Sequence, residues 1–163
     1  MASECVMYIS VISIGVLLIA GVSLTFNAIT NNTLENTVEA GLDEIVNIIY
    51  MELKNVLELG MQMDPLTRVV LNRSLDLPRD IAGHFYTINF KVLPGAKHWF
   101  IEAVDLNDRT INPIIYESTI PWRNVTLVSG TGTGLPTINS NEAQHYLCFQ
   151  RSEGTETFRI RIR

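Results

Sequence analysis

Residues 11–22 read Val-Ile-Ser-Ile-Gly-Val-Leu-Leu-Ile-Ala-Gly-Val and form the centre of an uncharged stretch of 22 residues, Cys5–Phe26. As an α-helix, a stretch of this length measures about 33 Å, which is enough to cross a hydrocarbon layer of about 30 Å. The sequence therefore predicts that residues 1–30 form an N-terminal membrane-spanning helix. The side chains predicted to face lipid or other helices are Val11, Ile14, Leu17, Leu18 and Val22.

A cleaved secretory signal and a buried helix of a soluble protein both fit this stretch less well. A cleaved signal has a basic first part, a shorter apolar core and small residues before the cleavage site. Here no Lys or Arg precedes the apolar run, and Phe26 would occupy the −3 position if cleavage followed Ala28. A buried helix of a soluble protein rarely lacks charge over 22 residues. The membrane span is therefore the prediction.

Charge is distributed unevenly along the chain. Residues 1–53 contain six acids and no Lys or Arg, whereas residues 54–163 contain all 12 basic residues and the other 11 acids. The absence of a basic patch argues against nucleic-acid binding. The positive-inside rule gives no orientation, because no basic residue lies near the span. The polar flank and three Asn-x-Ser/Thr sequons, candidate N-glycosylation acceptors at Asn31, Asn72 and Asn124, favour an extracellular C-terminal domain.

A second, amphipathic helix is predicted over residues 31–63. It continues from the first after a polar break at residues 30–33, and the two could together form one long rod with a kink there. Asn32 and Glu35 have the spacing of an N-cap and its returning carboxylate, and Gly60 supplies a stop. Its apolar residues recur at helical spacing, and the resulting stripe comprises Val38, Leu42, Ile45, Ile49, Leu53 and Val56. This stripe packs either on the domain that follows it or on neighbouring copies in an assembly, and periodicity alone does not separate the two.

Residues 64–163 alternate with a period of two and predict an antiparallel β-sandwich of about seven strands. Turn residues separate the strands, for example Pro94-Gly95 and Asn112-Pro113. The predicted strands are 68–75, 85–92, 99–106, 114–117, 124–129, 145–150 and 157–163. In the last strand Arg159, Arg161 and Arg163 share one face, which either meets solvent or pairs with the acidic helix 35–58 of the same chain or of a neighbour. The fold class is α+β.

Motifs for catalysis, cofactor binding or metal binding are lacking. The glycines of residues 130–134 do not precede the Lys-Ser/Thr of a phosphate loop, and Asp105, Asn107 and Arg109 fit a hairpin turn better than a calcium loop. His145 and Cys148 lie three apart on a predicted strand and so face opposite sides. We therefore expect no enzyme activity, no cofactor, no metal and no small-molecule substrate. Cys148 is expected to be a buried free thiol.

The order of these elements resembles archaeal type IV pilin-like proteins, the group of archaeal pilins, archaellins and archaellum accessory proteins. Residues 75–88, LDLPRDIAGHFYTI, are similar to a recurring L-x-L-P-x-x-I-x-G-x-x-Y-x-I pattern of that group. In this pattern Pro78 and Gly83 shape a turn, and Tyr86 and Ile88 begin the next strand on one face. The resemblance implies a structural subunit of a cell-surface filament, with helices in the filament core and the sandwich outside.

The resemblance leaves a second function open. Archaeal prepilins carry a short basic leader before the apolar run, whereas this chain begins MASECVMY, so that either the protein is not processed or its true start lies upstream. An unprocessed, unpolymerised accessory protein would be held by a single span, and its sandwich would bind an envelope partner such as the S-layer. The expected partners are therefore the membrane together with either other pilin-like subunits, including copies of this chain, or an envelope protein.

Overall fold

The computed structural model describes one long helix and eight strands. The described residues are 2–64, 68–108, 110–121, 123–129, 135–142, 144–151 and 158–162, with no side-chain description for residues 2–6 and 158. The helix, α1, spans Ala2–Gln62. The strands are β1 Val69–Leu75, β2 Tyr86–Lys91, β3 His98–Asp105, β4 Ile114–Pro121, β5 Val125–Ser129, β6 Thr137–Asn139, β7 His145–Arg151 and β8 Phe158–Ile162. This is the predicted α+β class.

The helix continues through residues 30–33, so the two predicted segments form one long helix, as the predicted fold class has it, while the predicted N-cap at Asn32 and the break there are wrong. The Thr30 and Thr33 hydroxyls donate to the carbonyl oxygens of Phe26 and Ile29, at 2.9 and 2.8 Å. Bonds of this kind let a polar residue remain inside a helix instead of ending it. The helix also extends two residues beyond Gly60.

Two compact units divide the chain, residues 1–36 and residues 37–163. In the second unit one sheet has the strand order β1-β7-β8-β5 and the other has the order β4-β3-β2-β6. The prediction of about seven strands missed β6, which has only three residues and follows the glycine-rich segment. The prediction of an antiparallel sandwich also needs one correction, because β5 and β8 pair in parallel. All other strand pairs are antiparallel among the described residues.

The second half of α1 completes the core of the sandwich. All six residues of the predicted stripe are at most 2% exposed, and they join the inward-facing side chains of both sheets in one cluster. Val46 and Tyr50 widen this buried face beyond the predicted stripe. The stripe therefore packs on the domain that follows it in the same chain, and the burial of its apolar surface stabilises that unit.

Close contacts hold the helix against the sheets. The ring of Phe149 would lie 2.2–2.9 Å from a Cβ atom at Gly60, so only glycine fits there. The Tyr50 hydroxyl lies 2.8 Å from the Thr119 hydroxyl on β4. On the other sheet, Arg73 Nε lies 2.6 Å from a Glu52 carboxylate oxygen. The helix thus contacts both sheets.

The segment 75–88 forms a tight turn followed by β2. Ile81 and His84 exchange two backbone hydrogen bonds of 2.9 Å, and the residues between them have positive φ, 51° at Ala82 and 84° at Gly83. Two successive positive φ values are typical of a type I′ turn. The Tyr86 hydroxyl donates to the Pro78 carbonyl at 2.5 Å, and Tyr86 is buried. Pro78 therefore lies before the turn and accepts a hydrogen bond from the strand after it.

Candidate membrane and assembly surface

The large apolar side chains between Met7 and Ile29 are exposed on every side of the helix. Their exposed fractions range from 58 to 73%, and no residue of the apolar window is buried. The five predicted lipid-facing residues are all in this set: Val11, Ile14, Leu17, Leu18 and Val22. A helix that is apolar all round needs a membrane or other protein around it. By length and composition, this one can span a membrane.

The backbone and hydroxyl groups of this stretch are suited to apolar surroundings. An α-helix satisfies its backbone groups internally, which is required where water is absent. Thr25 is the one threonine inside the apolar part, and its hydroxyl donates to the Gly21 carbonyl at 2.9 Å. The surface has a shallow groove at Gly21, lined by large side chains that include Leu17 and Phe26. The backbone groups of this stretch and the Thr25 hydroxyl are therefore satisfied within the helix.

The structure leaves less of the helix for an assembly than the sequence suggested. Residues of the stripe from Val38 to Val56 are covered by the same chain. Fewer large apolar side chains are exposed on the second half of the helix, for example Ile48 and Met51. The dense series of exposed large apolar side chains ends at Ile29, since residues 30–33 are polar.

A histidine and an aspartate, His84 and Asp105, meet beside the 81–84 turn. His84 Nδ1 lies 2.7 Å from Asp105 Oδ2, and Asp105 Oδ1 accepts the Asn107 backbone N–H at 2.8 Å. Asn107 Oδ1 accepts the Phe85 backbone N–H at 2.8 Å. Both carboxylate oxygens therefore have partners, and the pair joins the turn to the end of β3. The predicted hairpin turn at Asp105 and Asn107 is present between β3 and β4, while Arg109 lies outside the described residues.

His145 and Cys148, the remaining candidate metal ligands, do not lie on the same face of their strand. His145 is buried and Cys148 is half-buried, and they lie on opposite faces of β7, as expected from their spacing. Burial lowers the pKa of His145, although the nearby Glu142 carboxylate acts in the opposite direction. Among the described residues, no group of three or more His, Cys, Asp or Glu residues could hold a metal ion.

The last strand alternates as predicted over the residues described. Ile160 and Ile162 are buried, Arg159 is exposed and Arg161 is half-buried, while Arg163 lies outside the described residues. Cys148 faces the same side as Arg161, so the expectation of a buried thiol is wrong. This outer sheet face is therefore polar.

One feature was missed from the sequence, an open cleft of about 760 Å³ at one end of the sandwich. Its apolar wall includes Leu93 and Pro121, and three basic or titratable side chains, Lys97, His98 and Arg123, also line it. The 92–97 loop turns at Gly95, where φ is 80°, and the Ala96 N–H donates to the Leu93 carbonyl at 3.0 Å. The Pro94-Gly95 pair, which marks a turn, is the sequence signal that could have located this cleft.

Comparison of the chain with protein-family models, with curated proteins and with solved structures gives no match. The resemblance to archaeal pilin-like proteins therefore rests on the order of the elements, on residues 75–88 and on the alternating basic residues at the end of the chain. In this chain residues 75–88 form a turn and a strand that pack on the helix, since a Cβ at Gly41 would lie 2.5 Å from the Ile81 side chain.

Proposed function

We propose that this chain is a pilin-like structural subunit of a cell-surface filament. In this proposal the apolar helix anchors it in the membrane before assembly and then lies in the filament core. The observation that supports the proposal is the contrast within one helix. The stripe at Val38–Val56 is covered by the chain's own sheets, whereas the apolar side chains of Met7–Ile29 are exposed all round.

The exposed apolar side chains of the first part of the helix favour contact with lipid or with another helix, because burial of apolar surface lowers the free energy. Each large aliphatic side chain that leaves water gains about 1.5–3 kcal/mol. An uncovered row such as Ile14, Leu17 and Leu18 therefore favours either lipid or a helix of another subunit. The sandwich has its own core and needs nothing further from the helix before residue 37. The first part of the helix is thus available for a partner without loss of the fold of the second unit.

A second function, that of an anchored accessory protein that does not polymerise, is favoured by the length of the exposed apolar surface. From Met7 to Ile29 a helix measures about 35 Å, close to the thickness of the hydrocarbon layer of one bilayer. A single span would bury this surface fully. The sandwich would then be held at the outer side of the membrane, where it could contact an envelope partner.

Cell fractionation separates these functions. Cells that produce the full chain are sheared, and the released filaments, the membranes and the soluble fraction are probed for the protein. A filament subunit is found in the sheared fraction, and an anchored accessory protein only in membranes. Recovery in the soluble fraction alone would contradict both.

A matched pair of variants tests the role of the apolar surface directly. Leu18→Lys places a charge among exposed apolar side chains, and Thr30→Lys places the same charge at an exposed polar position of the same helix. We expect Leu18→Lys to reduce the sheared and membrane-bound protein at least tenfold, because a lysine at the centre of a span costs about 2.5–3.5 kcal/mol. Thr30→Lys should behave as wild type. Equal losses in both variants would show that charge at any position of the helix is harmful.

A further inference from the structure

Three Asn-x-Ser/Thr sequons occur in the chain, and the structure places them in three different backbone settings. Asn31 lies within α1, Asn72 lies in the middle of β1, and Asn124 lies in the turn between β4 and β5. All three asparagines are exposed, so exposure alone does not separate them. A glycan acceptor also needs a backbone that can present the asparagine amide and the hydroxyl of the third residue together, which surface turns and loops provide.

The helical sequon at Asn31 is unsuited to modification. The hydroxyl of its third residue, Thr33, already donates to the Ile29 carbonyl at 2.8 Å. Asn31 also lies only about 3 Å along the helix beyond Ile29, the last residue of the exposed apolar surface. The headgroup layer on each side of a bilayer is about 5–7 Å thick. If the apolar surface spans the membrane, Asn31 therefore lies within that layer.

In the strand sequon, the residues before and after Asn72 are both paired with the neighbouring strand. Leu71 pairs with Phe149 of β7, and Arg73 pairs with Leu147. The middle residue of the sequon, Arg73, also forms the 2.6 Å ion pair with Glu52 on the helix. Bending this segment toward a modifying enzyme would break ladder hydrogen bonds and the ion pair. A regular strand therefore presents Asn72 in an extended and fixed backbone.

The sequon at Asn124 differs in its first residue, because Asn124 lies in a turn before the strand. Val125 and Thr126 are the first two residues of β5 and pair with Phe158 and Arg159 of β8. The Asn124 backbone N–H donates to the Pro121 carbonyl at 3.3 Å, which closes a turn before β5 begins. Asn124 and Thr126 are both exposed, and Val125 between them is buried. The first and third residues thus point to solvent while the middle one holds the segment in the core. Moreover, β5 is the last strand of its sheet and pairs only with β8 among the described strands.

We propose that Asn124 is the N-glycosylation site of this protein, and that Asn31 and Asn72 are not modified in the folded chain. The donor is a lipid-linked oligosaccharide phosphate or pyrophosphate. The Asn124 amide nitrogen forms a bond to the anomeric carbon, the bond from that carbon to the phosphate oxygen breaks, the lipid phosphate leaves and the amide loses one proton. This inference rests on the proposed placement of the sandwich outside the membrane.

A glycan at Asn124 would stand beside the cleft at the end of the sandwich, because Asn124 is one of the residues that line it. Lys97 and Arg123 line the same cleft. The modification would therefore cover this end and leave the polar outer face around Arg161 and Cys148 open. In a filament it would keep the cleft end of each subunit in contact with solvent.

The test uses the full chain, produced in a host that N-glycosylates proteins on the outer side of its membrane. The intact mass and the peptide masses of wild type are compared with those of Asn31→Gln, Asn72→Gln and Asn124→Gln. We expect wild type to carry one glycan, Asn124→Gln to lose it completely, and the other two variants to keep it. Thr126→Ala should also lose the glycan, whereas Thr126→Ser should retain it. A glycan that persists in Asn124→Gln overturns the proposal.

A C-terminal tail that contains Asn-Gly-Thr serves as a reporter of placement. If this added sequon is modified and Asn124 is not, the site assignment is wrong while the outward placement of the sandwich stands. If neither is modified and proteases added to intact cells leave the sandwich uncut, the outward placement is wrong and the site assignment falls with it.

Discussion

Arg151 on β7 donates from Nη1 to the carbonyl oxygen of Gly60, at 3.1 Å, in the last turn of the helix. Its Nη2 donates to the Met63 carbonyl at 3.0 Å and to the Asp64 carbonyl. The last carbonyls of a helix have no partners within the helix, and a positive charge there is favourable. The last turn contains no basic residue of its own. A buried arginine 91 positions away therefore provides the cap.

Replacing Arg151 by methionine should lower the free energy of unfolding of the 37–163 unit by about 2–4 kcal/mol. The reason is that the carbonyls of Gly60 and Met63 would lose charged donors, and buried acceptors without donors are costly. Urea unfolding followed by circular dichroism measures the effect. Arg159→Met, at an exposed position of β8, should change stability by less than about 0.5 kcal/mol. An unchanged midpoint for Arg151→Met would show that the cap adds nothing.

Ile45→Lys should destabilise the isolated 37–163 unit by about 3–5 kcal/mol. Ile45 is 2% exposed inside that unit, so the lysine ammonium would be buried without a partner. Asp43→Lys, at an exposed position two residues earlier, is the control and should unfold nearly as wild type. The measurement is the melting temperature of each fragment. If Ile45→Lys melts as wild type, the stripe would not be needed by the sandwich.

Gly60→Ala should destabilise the same unit by about 1–3 kcal/mol, although alanine is the better helix former by about 1 kcal/mol. The new methyl group would lie 2.2 Å from the Phe149 ring, and that ring is fully buried. The double variant Gly60→Ala with Phe149→Leu should lose less stability than the sum of the two single variants. Additive losses in a double-mutant cycle would contradict the proposed clash.

Tyr86→Phe should cost about 0.5–1.5 kcal/mol at neutral pH, because the hydrogen bond to Pro78 is lost. Burial, with a smaller effect of the Asp80 charge, raises the pKa of Tyr86 to about 12. An unfolded tyrosine titrates near 10, so between pH 10 and 12 the unfolded state loses this proton first. The contribution of Tyr86 is thus complete below pH 10 and declines as pH rises toward 12.

Urea unfolding of the 37–163 unit across this range checks the prediction for Tyr86. The stability difference between wild type and Tyr86→Phe should shrink from pH 10 upward. Tyr146→Phe removes a hydroxyl that donates to Gln144 on the outer face; it is the control for loss of an exposed hydroxyl and should change stability little at neutral pH. A stability difference that grows with pH would contradict a raised pKa of Tyr86 in the folded state.

Local patterns in the sequence were sufficient to predict which segments form helix and which form strands. The uncharged run at Cys5–Phe26, the helical spacing from Val38 to Val56 and the alternation around Ile160 each reflect the repeat of a single element, so they are readable without a structure. The break predicted at residues 30–33 failed because the sequence does not show whether a threonine hydroxyl caps a helix or bonds back into it. Here Thr30 and Thr33 bond back.

Partners that lie far apart along the chain were decided only by the tertiary structure. The periodicity of the stripe predicts that it is buried, but it does not predict which element covers it. In the structure the two sheets of the same chain cover it. The parallel pairing of β5 with β8 and the capping of Gly60 by Arg151 bring together segments that have other strands between them in the sequence. For the apolar surface before residue 30 the composition alone predicts a membrane or protein partner, and these side chains are exposed in the part of the chain that the structure describes.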